Sequence, residues 1–183
     1  MERTWNNGDE VLLKVPMKLS KRTWIKNHNS VSVDYGPLTF SLKIDERFVR
    51  LESDETAIRD SKWQKNADTK NWPSYEIYAD SPWNYGLVIG SDNLENVFQI
   101  HRKEWPADNF PFSVNAVPIW ISAKGKQIPQ WKMDKYGLCG ELKDSPVLSK
   151  AKIEDIALIP MGAARLRISS FPVIGEGADA VEW

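Results

Sequence analysis

The sequence predicts an all-β fold, an antiparallel β-sandwich of jelly-roll type, built as one unit or as two small sandwiches nested together. Three observations predict it. Apolar residues recur at period two in several short runs, the spacing of a half-buried strand. No stretch keeps an apolar stripe at 3.6-residue spacing for three turns, and eleven prolines are spread along the 183 residues, where each would interrupt a helix. Gly, Pro, Asn, Asp and Ser clusters separate the runs at near-regular intervals, the pattern of a multi-stranded β domain.

Taken in order, Asp9–Met17 (DEVLLKVPM) reads as a short strand ended by Pro16. The basic stretch Lys18–His28 reads as a solvated loop. Val31–Ile44 alternates Val31, Val33 and Tyr35, bends at Gly36-Pro37, and resumes with Leu38, Phe40, Leu42 and Ile44 on one face; a Gly-Pro inside such a run marks a tight bend or bulge. The best helical candidate is the weak pattern Ser53–Gln64. Tyr75–Ala79 alternates again. In SPWNYGLVIG, period two places Trp83, Tyr85, Leu87 and Ile89 on one core-facing side. Asn84 and Ser81 are then free to bond backbone groups. The segment Asn96–His101 (NVFQIH) follows as a strand. The stretch from Ser113 to Trp131 reads as two strands around a hairpin at Gly125. A final pair, Ile153–Pro160 and Ala163–Val173, is joined at Met161-Gly162. The tail, residues 175–183, reads as flexible.

Net charge is −1 at pH 7, without the basic excess or stripe that marks a nucleic-acid partner. No apolar run is long enough to span a membrane, and the first residues lack the apolar core of a signal peptide. They fit the start of a fragment whose parent is either exported to a periplasm or cytoplasmic. The single cysteine, Cys139, can form neither an internal disulfide nor a cysteine-rich zinc cluster. A set of His28, His101 and Cys139 is conceivable as a metal site, but their spacing does not select it. Glu104, beside Trp105, is the most site-like acid, although no pair of carboxylates is singled out for glycosidic chemistry.

The chain holds nine tryptophans. Large aromatics fill β cores, and an indole face also stacks on a sugar ring. Core packing is the commoner use. Tryptophans in loop-like stretches, Trp63, Trp72, Trp105 and Trp131, are the candidates for carbohydrate contact.

The ordered set NNGDEVLLKVPM, VSVDYGPLTFSL, YEIYADSPWNYGL, PFSVNAVPIWISAKGKQIPQW and IEDIALIPMGAARLRISSFP resembles the C-terminal β-sandwich region of the family 127 glycoside hydrolases, the β-L-arabinofuranosidase family. The resemblance covers about Asn6 to Pro172. It implies a parent whose catalytic site lies in an N-terminal (α/α) helical barrel carrying a zinc-bound cysteine nucleophile. None of those catalytic or zinc-binding residues maps onto this chain, so no cofactor is expected in it. The resemblance implies a non-catalytic module supporting that barrel. The alternative is a carbohydrate-binding module for arabinose-containing plant oligosaccharides. It also implies a nested organisation, with residues 1–50 plus 153–174 forming an outer sandwich and residues 51–152 an inserted one.

Overall fold

The computed structural model describes residues 2–51, 73–90 and 93–183. The helical candidate Ser53–Gln64 lies outside them. The described residues form an all-β fold, as the period-two runs predict.

Strand β1 (Leu19–Trp24) pairs antiparallel with β2 (Ser30–Tyr35), which turns into β3 (Leu38–Leu42). The turn is the expected bend at Gly36-Pro37. Tyr35 pairs with Leu38, and Gly36 takes φ 58°, a left-handed conformation that glycine adopts without steric cost. Among the described residues, strand β4 (Glu46–Leu51) pairs only with β5 (Ser74–Ala79), as a separate two-stranded ribbon. Then come β6 (Tyr85–Leu87), the single-turn helix α1 (Leu94–Val97), β7 (Gln99–Arg102), β8 (Ile119–Gln127) and β9 (Ile153–Pro160). The main sheet runs β1-β2-β3-β9-β8-β6, and β7 pairs with the other half of the same β8 edge.

The hydrogen bonding returns to where it began. Past the 3₁₀ turn Met161–Ala163, residues 168–174 run from β2 and β3 to the border strand β6. Phe171 exchanges both backbone bonds with Val31 of β2, each at 2.8 Å. Leu87 of β6 donates to Pro172 O at 2.9 Å and accepts from Ile174 N at 2.8 Å. The segment thereby links β6 back to β2 and β3 and covers the free edge of β6, while β1 stays at the end of the strand order. Inside lie Val31, Val33, Phe40, Leu42, Leu87, Ile121, Leu158 and Phe171, all almost fully buried. A smaller cluster, Val114, Val117, Ile159, Ala163 and Ala164, packs with Trp120.

Several expectations are corrected. Strands assigned to separate outer and inserted sheets share one sheet, because β9 pairs with β3 on one side and β8 on the other. Residues 119–127 are one continuous strand rather than a hairpin. Gly125 serves close packing instead of turning: a Cβ there would meet Ile156 Cδ1 at 2.9 Å and Gly86 O at 3.2 Å. The basic stretch after Lys18 is strand β1 rather than a loop. Its ladder to β2 is reinforced by Arg22 donating to Asp34 at 2.6 Å and by Trp24 Nε1 donating to Ser32 Oγ at 2.9 Å. Residues 168–174 bond to β2, β3 and β6 rather than back onto β9. The tail is tied down: Val181 N donates to Pro146 O at 2.9 Å, and the Trp183 ring lies 5.5 Å from that of Trp131.

Asp9–Met17 does not form a strand. It is rich in strand-forming residues, but it has no ladder partner among the described residues. Val11, Leu12 and Leu13 are 62, 81 and 81% exposed.

Candidate functional site

The face of SPWNYGLVIG predicted to be core is core. Tyr85 and Leu87 are buried, with Trp83 and Ile89 packed against them. Asn84 Nδ2 donates to the carbonyls of Ile128 and Trp131, at 2.8 and 3.1 Å, and Ser81 Oγ accepts from Asp45 N at 2.9 Å. Asn84 thus anchors the stretch after β8, which carries Trp131.

Trp131 is 2% exposed. Its indole N–H donates to Gly140 O at 2.8 Å, and its ring stands edge-on to Trp83 at 5.1 Å. A sugar platform needs an open ring face, so this tryptophan is a packing residue. The loop-like sequence around it misled because the chain folds back over the ring: Gly140 N also donates to Lys132 O at 2.9 Å. A side chain at position 140 would lie 2.6 Å from that carbonyl.

Trp105 has the opposite placement. It is 59% exposed in the loop between β7 and β8, and its N–H donates to Asn109 Oδ1 at 2.7 Å. Asn109 holds φ 54°. Phe110 and Phe112, also exposed, stand edge-to-face at 5.6 Å in the same loop. Trp63 and Trp72 lie outside the described residues.

The histidines and the cysteine do not converge. His101 stacks on Trp120 at 5.1 Å and bonds Ser122 Oγ at 2.9 Å. His28 and Cys139 line a separate cavity of about 370 Å³. Among the described residues, no group of three or more His, Cys, Asp or Glu is placed to hold a metal ion.

That cavity is built by three distant segments. The β1–β2 connection supplies Asn27 and His28, the loop after Trp131 supplies Cys139 to Leu142, and the closing segment supplies Arg167 to Ser170. His28 and Asn29 sit at φ 56° and 50°, a region non-glycine residues adopt at a cost and often at functional positions. The turn is held because His28 O accepts from Ser145 N at 2.8 Å and His28 Nδ1 bonds Asp144 Oδ1 at 2.9 Å. Asn27 Nδ2 donates to Ser30 Oγ and Ser170 Oγ. Trp131, Leu142 and Ile168 give the cavity an apolar wall. Sequence reasoning missed Glu141, Arg167 and Ser169, because no short-range motif links positions drawn from separate segments.

Comparison with family models, with curated proteins and with solved structures returns no match. Among the described residues, no helix is long and apolar enough to cross a membrane.

Proposed function

We propose that this chain is a non-catalytic β module of a β-L-arabinofuranosidase-like glycoside hydrolase, packing against and supporting the helical-barrel catalytic domain of its parent. The observation that supports this reading is the exposed run Val11–Val15. It carries large aliphatic side chains, yet nothing among the described residues covers them. Surface of this kind marks a contact with another protein body. The experiment mixes the folded chain with the isolated barrel domain of a family 127 hydrolase. The expected result is a stoichiometric complex with a raised barrel melting temperature, and no arabinose released by the chain alone. Release of arabinose by the chain alone, or no complex at micromolar concentrations of both, would overturn the reading.

A second reading, carbohydrate recognition, rests on Trp105. Its ring is open to solvent and its orientation is fixed by Asn109. Saturable fluorescence change with arabinofuranosyl oligosaccharides, abolished by Trp105→Ala, is the result that would favour it.

A further inference from the structure

Strand β1 stands at the end of the strand order, and its register shows which backbone groups it leaves over. Lys18 O accepts from Gly36 N at 2.9 Å, and Val31 bonds Phe171 on the far side of β2. With Leu19 opposite Tyr35 and Trp24 opposite Ser30, Ser20, Arg22 and Trp24 therefore form the hydrogen-bonded pairs with β2. Leu19, Lys21 and Thr23 turn their N–H and C=O groups the other way. Those groups have no backbone partner among the described residues, and residues 20–24 are exposed. A cleft of about 620 Å³, lined by Met17 and Leu19 together with Phe98 and Ile100, leaves room beside the start of this edge.

The same chain carries strand-forming residues without a strand to join. Asp9–Met17 leads straight into β1, with Met17 lying over Gly36, so the run leaves past the β2–β3 turn instead of folding back. Carrying the alternation of β1 back through Met17 gives Val11, Leu13 and Val15 the same sense as Leu19, Lys21 and Thr23. Pro16, which has no N–H, falls in the other sense and interrupts nothing. Two copies laid antiparallel about Met17 then pair Val15 with Leu19, Leu13 with Lys21 and Val11 with Thr23. Unpaired groups meet unpaired groups on both halves. In that register Glu10 falls opposite Trp24, between the basic side chains of Arg22 and Lys26, and Lys14 falls opposite Ser20. No like charges stand directly opposite, which is the arrangement that would oppose pairing. Basic residues on an edge deter an arbitrary strand; this one brings an acid to them.

We infer that the chain, in the absence of the barrel, forms a twofold dimer in which Val11–Val15 of each copy adds to the β1 edge of the other. The interface is isologous and closes on itself, and its affinity comes from main-chain bonds. This goes beyond the docking role proposed above. One run serves both, so self-pairing and barrel docking exclude each other.

Sedimentation velocity of the chain from about 1 to 200 µM reads the association, and a monomer–dimer equilibrium in that range is expected. Leu13→Pro removes an N–H that the new ladder uses, and should weaken the dimer about tenfold or more. Leu12→Pro loses an equal side chain but an N–H of the other sense, and should weaken it far less. Both changes lie in an exposed run, so circular dichroism should stay native. Adding the isolated barrel domain should convert the dimer into the one-to-one complex. A monomer at every concentration overturns the inference, and a barrel complex in the same samples leaves the docking reading standing. Equal losses in the two proline variants, or a dimer retained in Leu13→Pro, also overturn it. So does a dimer that binds the barrel without dissociating. A dimer that responds to Leu13→Pro while no barrel complex forms upholds the self-pairing and removes the docking reading alone.

Discussion

Tyr85 of β6 donates its phenolic hydrogen to Glu154 of β9 at 2.6 Å, reaching across the intervening strand β8. Gly125 makes the crossing possible. It pairs with Leu87 on one side and Glu154 on the other, and a Cβ there would lie 3.3 Å from the Tyr85 ring. Burial, then the bond to Glu154, pushes the Tyr85 phenol up to about 12. The same bond, with Lys152 nearby, holds the Glu154 carboxyl below its usual value.

These shifts define a pH dependence at both ends. The Tyr85 phenol is raised in the fold, so its contribution is complete below the ordinary value of 10.0 and is lost as pH climbs toward about 12. Glu154 is depressed, so its contribution is present above 4.5 and is lost as pH falls through its folded value. Tyr85→Phe is expected to lower stability at pH 7 by about 1–2 kcal/mol. It should also flatten the fall in urea midpoint above pH 10.0. An unchanged alkaline profile in the variant would place the alkaline sensitivity elsewhere.

Gly125→Val is expected to be more damaging than any propensity scale suggests. Valine favours strands, but here its side chain meets Ile156, Gly86 O and the Tyr85 ring. Overpacking of this kind costs about 1–3 kcal/mol. Chemical denaturation of the variant reads the sign directly: a stabilised protein would mean that β6 and β8 do not approach as described.

Trp131 and Trp105 separate packing from display. Trp131→Ala opens a cavity beneath Trp83 and Trp183 and is expected to cost about 3–5 kcal/mol. Trp105→Ala, in an exposed loop, should stay within about 0.5 kcal/mol of the parent. Thermal unfolding of the two variants side by side decides the matter, and equal losses would contradict the burial assigned to them.

Replacing Val11, Leu12 and Leu13 together by serine should leave the urea midpoint nearly unchanged, within about 0.5 kcal/mol, since these side chains already face solvent. The same variant should lose the complex with the barrel domain, read by size-exclusion chromatography. A large loss of stability would mean that the run packs on its own chain.

Where local pattern and tertiary contact agree, the sequence is readable. Val31, Val33, Tyr35, Phe40, Leu42 and Ile44 alternate and are buried together, and Gly36-Pro37 turns where a Gly-Pro should. Strand β1 was hidden because its side chains are mostly polar. It is held by a ladder and by Arg22 and Trp24 reaching the buried polar face of β2, and neither leaves a periodic signal. Asp9–Met17 shows the converse: a run of strand-forming residues without a neighbour yields no strand. Gly125 reads as a turn residue until the approach of Gly86 and Ile156 is known. Loop composition around Trp131 likewise says nothing of Gly140 folding over it. The cavity combines residues more than a hundred positions apart, Asn27 with Arg167, a relationship that periodicity cannot encode.

The closure made by residues 168–174 sets an order on folding during synthesis. Those residues fill the gap between β2, translated well before them, and β6, and they place Phe171 at the centre of the core. Until they leave the ribosome, β2 has no partner at Val31 beyond β1, and the apolar interior is open along that side. The β2–β3 hairpin can form as it emerges, but the gap between β2 and β6 stays open until residues 168–174 are made. Pairing across such a separation is intrinsically slow. The apolar interior therefore stays unsealed while the residues between β3 and the closing segment are made, the interval in which a chaperone or an already folded neighbouring domain would have most to protect.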